Sequence, residues 1–325
     1  MSVSGRSSVV IGILLGVVLS WSSAVLAGDW PHRTVRLILP VPAGSASDFS
    51  ARLLAERLSQ RWGQAVIVDN RPGADGVIGV SAFLGAEDDH TLLYAISAIF
   101  TVHPITREKL PYDPVRELVP ICPTSDVVLA IAASEKSSIR SLDDLVQTAR
   151  ARPGKLNWGG SPGLPPFVVG GFFKTSKLDL AVVPYREIAP ALQDLGEGRI
   201  DLFVHALGVL MPQVQSGKAR LLAVASDVRM PLVPDVPTVA EAGYPQLRME
   251  GVVGFYGKRG MPDALRDRIA SDVRDVASDP DIRDRLAAVG QVARSGSPSE
   301  FAALLEQYHR RLADLAKTID FKATQ

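Results

Sequence analysis

The sequence predicts an α/β protein of two domains, each built on a mainly parallel sheet covered by helices, behind a secretory leader. Short β-rich runs alternate with stretches of helical period from position 35 onward. Glycine and proline punctuate the joins. The chain has 325 residues, long for one core when domains usually run about 100–200 residues.

The leader reads from three features. Arg6 precedes an uncharged apolar stretch at 9–19, small residues follow, and Val25-Leu26-Ala27 offers the small pair that signal peptidases accept. Residues 1–27 are therefore expected to be a signal peptide removed after Ala27, placing the mature protein in the periplasm. A membrane-spanning helix needs about 20 apolar residues, and this stretch is shorter and broken by Ser20, Ser22 and Ser23. No cysteine stands at the cleavage point to carry a lipid.

Composition then excludes classes. Lys plus Arg number 35 against 35 Asp plus Glu; loss of Arg6 with the leader leaves 34 against 35, a net of −1. No basic surplus points to nucleic acid. Cys122 is the sole cysteine, so no internal disulfide forms, and its apolar neighbours Val119, Pro120 and Ile121 mark it as a buried thiol.

The elements follow in order. Val35-Arg36-Leu37-Ile38-Leu39 is a strand closed by Pro40, and a Gly/Ser loop leads to a helix whose apolar face is Ala51, Leu54, Ala55, Leu58 and Trp62. Ser47 or Asp48 is expected to cap it, and Gly63 to end it. A strand at 65–68, a turn at Asn70-Arg71-Pro72-Gly73, a helix over 77–84 and a strand over 91–96 complete one β-α-β-α-β unit. A second unit starts with a strand at 127–132. Ser141 with Asp144 predicts a capping box; 180–183 and 200–204 read as buried strands, with a helix at 188–195 stopped by Gly196, and 219–225 as one more strand. The Pro-rich stretch 228–243 reads as a loop crossing back between domains. Ser297, Pro298 and Glu300 start a last helix, with Phe301, Leu304, Leu305, Tyr308, Leu312 and Leu315 along one face.

Ligands of doubly wound sheets sit at the carboxyl ends of strands. Two permissive loops fall there. In Val41-Pro42-Ala43-Gly44-Ser45-Ala46-Ser47-Asp48, small residues let a ligand approach the backbone, and free amides with the helix dipole favour an anion. Gly73-Ala74-Asp75-Gly76-Val77-Ile78-Gly79 repeats the pattern without the order of a dinucleotide fingerprint. Gly159-Gly160-Ser161-Pro162-Gly163 matches G-x-S-x-G, yet Pro162 lacks the N–H that a nucleophile elbow needs after its serine; a serine hydrolase using Ser161 is the disfavoured alternative. Glu87-Asp88-Asp89-His90 reads as a solvated turn and not a metal site. His205 ends an apolar strand and is a candidate contact.

Taken together, Trp30-Pro31, Pro42-Ala43-Gly44, Asp48-Phe49-Ser50-Ala51-Arg52, Asn70-Arg71-Pro72-Gly73-Ala74, Val183-Pro184-Tyr185, Gly198-Arg199-Ile200-Asp201 and Asp235-Val236-Pro237-Thr238-Val239-Ala240-Glu241-Ala242-Gly243 resemble the extracytoplasmic receptors of tripartite tricarboxylate transporters, the Bug family. The resemblance covers essentially the whole mature chain. It implies a type II periplasmic-binding fold, with lobe 1 at 28–126 plus 251–325, lobe 2 at 127–250, and a ligand cleft between them. It implies a non-catalytic monomeric receptor without cofactor, a small carboxylate ligand, and a membrane partner with one small and one large subunit. Carried over, the ligand residues are Val41, Ala43, Gly44, Ser45, Asp48, Gly73, Ala74, Asp75, Ser97 and Ala98 from the first lobe. From the second come Ser161, Gly163, Tyr185, Arg186, Glu187, Asp201 and His205. A sensor feeding a signalling partner is the alternative use of the same fold.

Departures from the family pattern fall at Ser45, Pro162 and Glu187. Ser45 is expected to turn a hydroxyl to the cleft, and Glu187 to repel a second carboxylate unless Arg186 or His205 compensates. A ligand with one carboxylate is therefore expected over a citrate-like tricarboxylate.

Overall fold

The computed structural model describes residues 30–160, 163–185, 187–249 and 251–323; the leader lies outside them. The first alternating unit forms as its pattern predicts. Strands β1 (Val35–Leu39), β2 (Val66–Asn70) and β3 (Thr91–Ile96) are parallel, joined by helices α1 (Ala46–Trp62) and α2 (Val77–Leu84). Helix α1 starts earlier than expected. Its N-cap is Ser45, whose Oγ accepts from the Asp48 amide, and Gly63 ends it at φ 65°.

Three one-turn helices follow, α3 (Ala98–Thr101), α4 (His103–Thr106) and α5 (Pro114–Glu117), and then a ten-residue strand, β4 (Leu118–Val127). Pro120 and Pro123 argue against a strand at the sequence level, since neither donates to a ladder. Both lie beside register irregularities of the pairing that holds β4, where the ladder is already interrupted.

The second sheet takes β5 (Leu129–Ser134), α6 (Leu142–Ala151), β6 (Asn157–Gly160), α7 (Leu164–Thr175), β7 (Ala181–Pro184), α8 (Ile188–Glu197), β8 (Leu202–Ala206), α9 (Leu207–Gln215) and β9 (Ala219–Val224). Its order is β7-β6-β8-β5-β9. Two expectations change here. Strand β7 is an exposed edge and not a buried strand, and α8 runs on to Gly198, which takes φ 72°. The 228–243 loop does not cross between sheets. It packs on the second one, with Val239 N donating to Val224 O at 2.8 Å.

The chain returns to the first sheet at β10 (Gly251–Lys258), then adds α10 (Asp263–Ala277), α11 (Pro280–Ala288), β11 (Gln291–Ala293) and α12 (Pro298–Thr318). The first sheet thus has six strands in the order β11-β4-β10-β3-β1-β2. Alternate strand residues feed opposite faces: Val35, Leu37 and Leu39 one core, Ile38 the other. In the second sheet Leu129, Ile131 and Ala133 separate likewise from Val128, Ala130 and Ala132. Burial on both faces explains why these strands read as continuous apolar runs.

A single residue, Val128, separates β4 from β5. Strand β10 pairs antiparallel with β3 and β4, so Val127 leaves the first sheet at the edge holding the carboxyl ends of β1, β2 and β3. Leu129 enters the second sheet opposite Ala206, the last residue of β8, to which β6 is parallel and β7 in turn. The carboxyl edges of both sheets therefore face each other.

Helix α12 ties the two bodies together. It opens with the expected capping box between Ser297 and Glu300. Its apolar face is split: Phe301, Leu305 and Tyr308 enter a core of the first sheet, while Leu312 and Leu315 pack with the second. Phe301 lies on Gly254, where a Cβ would sit 2.6 Å from the ring and 2.5 Å from Cys122 O. The 87–90 turn is also more than solvated surface. His90 is buried, its Nε2 accepts from His32 N at 3.2 Å, and Trp30 Nε1 donates to Asp89 O at 3.1 Å, latching the incoming chain. Phe301→Ala should cost about 3–5 kcal/mol of stability, read as a lower urea midpoint; an unchanged midpoint would contradict this packing.

Candidate functional site

The first-lobe side of the facing edges is built from the two glycine-containing loops. Leu39 and Asn70 pair at the ends of β1 and β2, which sets the loops side by side. Asp48 then locks them together. Its carboxylate accepts from Gly44 N at 2.9 Å, Arg52 Nε at 3.1 Å and Asn70 Nδ2 at 2.9 Å, and Asn70 Nδ2 also donates to Val41 O at 3.1 Å. Burial alone would raise the Asp48 carboxyl; the bonds from Arg52, Gly44 and Asn70 outweigh it and hold it below its ordinary value.

This arrangement corrects three sequence expectations. Asp48 is almost wholly buried and faces its own loop, so it shapes the site without offering a charge to a solute. The Gly44 amide is taken. The Ser45 hydroxyl serves the α1 cap instead of standing free in the cleft. Among the described residues the amides of Ala43, Ala46 and Ser47 have no acceptor, and neither do those of Ala74 and Asp75 in the second loop. These N–H groups, two of them at the positive end of a 17-residue helix, are unpaired donors of the kind that suits an anion.

In the second loop Gly73, Ala74, Asp75 and Gly76 all take positive φ. The Asp75 carboxylate turns to His103 Nε2 at 3.2 Å and Arg107 Nη2 at 3.9 Å, not to the cleft. Ser97 ends β3, but its Oγ accepts from Val252 N at 3.2 Å and it is buried. Ala98 beside it packs toward the second-sheet core.

On the second-lobe side prolines replace some first-turn donors, while the amides of Ile188, Ala189, Gly208 and Val209 have no acceptor among the described residues. Helix α7 starts at Gly163, φ 109°, followed by Leu164, Pro165 and Pro166, so two first-turn positions lack an N–H. Helix α8 starts at Glu187, which is exposed and makes no capping bond, and Pro190 removes a further amide. At α9, Leu207 N is taken by Val128 O at 2.8 Å. Tyr185 donates its hydroxyl to Asp194 Oδ2 at 2.5 Å and its backbone N–H to Gly160 O at 2.8 Å. Ser161 and Arg186 lie outside the described residues.

His205 and Asp201 separate along β8. Asp201 precedes the strand, accepts from Asn157 N at 2.9 Å and belongs to the opposite edge; four residues of strand put it about 13 Å from His205. The structure therefore does not bring Asp201 to the edge where His205 lies. His205 stacks on Phe203 at 5.7 Å, and its buried Nδ1 has no hydrogen-bond partner. Burial pushes its imidazole down to about 4, so it is neutral and cannot offset the Glu187 charge.

A concavity of about 640 Å³ lies elsewhere, on the outer flank of the first lobe among Phe100, Arg107, Leu110, Glu306 and His309. It contains none of the unpaired amides. A site shared by two lobes encloses its volume only when they close, so this volume does not mark it. No group of three His, Cys, Asp or Glu able to hold a metal ion occurs among the described residues. Cys122 is buried, and burial pushes its thiol far up, as an inert core residue.

Two α/β bodies joined by a short crossing, with unpaired amides gathered on one facing edge, define a bilobal solute-binding protein of the periplasmic type. The chain belongs to the tripartite tricarboxylate transporter receptor family, whose model (TctC, "Tripartite tricarboxylate transporter family receptor") matches residues 50–321. It is 34% identical over 312 residues to a UPF0065 protein of Bordetella bronchiseptica, covering 95% of this chain and 93% of that one. Among solved structures it resembles R. palustris Rpa4515 with adipate, at 29% identity and TM-score 0.83, covering 91% of this chain and 100% of that one. It also resembles MatC (Rpa3494) from Rhodopseudomonas palustris with bound malate, at 25% identity and TM-score 0.77, covering 88% and 99%. The family is one of periplasmic solute-binding receptors. No helix among the described residues is long and apolar enough to cross a membrane.

His205 carries a pH signature. With a folded value near 4 and about 6.5 when unfolded, its protonation favours the unfolded chain. The stability is whole above pH 6.5 and falls as pH drops toward 4, by about 2 kcal/mol at pH 5. His205→Gln should lose less stability than the parent between pH 7 and pH 5 in chemical melts; parallel losses would argue against a neutral imidazole.

Proposed function

We propose that this receptor captures a small solute by one carboxylate in the cleft between its lobes and delivers it to a tripartite membrane transporter. The supporting observation is the asymmetry of the facing edges. Unpaired amides of Ala43, Ala46, Ser47, Ala74 and Asp75 gather on the first lobe, while prolines, a neutral His205 and the acidic Glu187 line the described part of the second. A carboxylate gains from preorganised N–H groups at a helix start. A second carboxylate reaching the other lobe would meet the like charge of Glu187 at the start of α8.

On this reading the lobes are 28–126 with 251–325, and 127–250, and they close about the crossings at Val128 and before Gly251. The contacts on the second lobe are Gly163, Tyr185, Glu187 and His205, with Ser161 and Arg186 in the same loops. The solute's remainder is apolar or uncharged. Adipate in Rpa4515 and malate in MatC set the scale of the ligand, and both carry two carboxylates. The discriminating comparison is therefore between a dicarboxylate and the monocarboxylate of the same chain length.

Calorimetry and thermal shift on mature protein should compare hexanoate with adipate, and both with citrate. Saturation at 100 times Kd should add about 2.7 kcal/mol to stability. Hexanoate is expected to bind at least as well as adipate, and citrate weakly. Tight citrate binding without a hexanoate response would overturn the single-carboxylate reading, and silence from every carboxylate would overturn the carboxylate reading itself. The intact mass of the exported protein should correspond to a chain starting at Gly28.

A further inference from the structure

The second glycine-containing loop holds a conformation its own sequence resists. Four successive residues have positive φ: Gly73 at 123°, Ala74 at 48°, Asp75 at 57° and Gly76 at 91°. Glycine takes such angles freely. For a residue with a Cβ the left-handed region costs about 1–2 kcal/mol, and here two such residues stand together. A conformation of this kind persists only where the surroundings over-determine it.

The surroundings are three side chains. Arg107, just after α4, donates from Nη2 to Ala74 O at 3.0 Å and lies 3.9 Å from the Asp75 carboxylate. His103 Nε2 lies 3.2 Å from Asp75 Oδ2, and the ring is only 1% exposed. On its far side, His103 Nδ1 meets Tyr112 Oη at 2.9 Å. Burial raises the Tyr112 phenol, which stays protonated and can donate to Nδ1; Nε2–H then donates to the carboxylate. The chain of contacts runs from the buried flank of the first lobe to the loop, and stops at the backbone whose Ala74 and Asp75 amides remain unpaired.

We propose that Asp75, His103 and Arg107 form a positioning clamp that holds Ala74 and Asp75 left-handed, so that the amides of both are presented to the solute's carboxylate. The three side chains touch the loop and not the solute. The clamp rests on the carboxylate reading above, and it adds that affinity depends on a residue, Arg107, outside the cleft. Its logic is replaceable. A loop with glycine at positions 74 and 75 would reach the same angles without being held.

The test is a cycle between Arg107→Ala and the paired changes Ala74→Gly and Asp75→Gly, with hexanoate and adipate as probes. In the native loop Arg107→Ala should weaken binding about tenfold, the equivalent of about 1.4 kcal/mol. In the glycine loop the same change should cost about twofold or less. An equal loss in both backgrounds would mean that Arg107 acts directly on the solute, and no loss in either would mean that the clamp is idle; each overturns the proposal. A merely structural tie would lower the melting temperature alike in both loops and leave affinity alone. Amide relaxation of residues 74 and 75 in unliganded protein gives a reading free of the ligand. Arg107→Ala should mobilise them, His103→Gln should do so partly, and a loop as rigid as the parent's would refute the clamp even if no carboxylate binds.

Discussion

The ladder between β4 and β10 is the constraint on which the rest of the molecule depends. It pairs Val127 with Gly251 and runs back to Leu118 and Lys258. Val127 is the last residue before the chain crosses to the second sheet, and Gly251 belongs to the strand on which it returns. Pairing them places both crossings side by side. With Val128 alone between β4 and β5, the second sheet has no freedom to present any edge but the one holding its carboxyl ends. Backbone bonds reinforce the join: Val128 N donates to Gly290 O, and Val128 O accepts from Leu207 N. At Gly208 a Cβ would stand 2.6 Å from Val289 O, so α9 begins in direct contact with the first lobe.

From that geometry follows a division of labour. On the first lobe Ala46 and Ser47 at the start of α1 keep their amides, and Asp48 commits its charge to holding two loops in register. Helix starts on the second lobe carry Pro165, Pro166 and Pro190. On the proposed reading an anion would be held by oriented dipoles on one side, with no need to desolvate a buried cation. The other side carries a neutral imidazole at His205 and the acidic Glu187. Helix α12, seated in cores of both lobes, limits how far they can separate on its flank.

Much of the fold is legible in the sequence. The strands Val35–Leu39 and Thr91–Ile96 and the helix Val77–Leu84 match their predicted limits, because proline, glycine and periodicity agree there. β4 and β10 are not legible, although they are central. Pro120 and Pro123 in one, and Gly251, Gly254 and Gly257 in the other, are what sequence rules count against a strand. Each is held by neighbours on both sides, and such support comes from chain far away in sequence. The family is legible too, since its turn motifs need particular residue types at particular angles. The site is legible as loops but not as side chains. Asp48, Asp75 and Tyr185 sit where expected and face elsewhere, and Asp201 lies at the wrong end of its strand.

By itself the sequence determined the local order of strands, turns and helices, the family, and the presence of permissive loops where an anion could meet backbone amides. These depend on residues close together in the chain, whose φ preferences and apolar spacing act locally. Only the tertiary structure decided which amides stay free, which carboxylates are consumed by neighbours, and that His205 is neutral. Each of those is a competition among partners brought together by folding. The Asp75 carboxylate finds His103 some 28 positions away, and no local pattern announces that meeting.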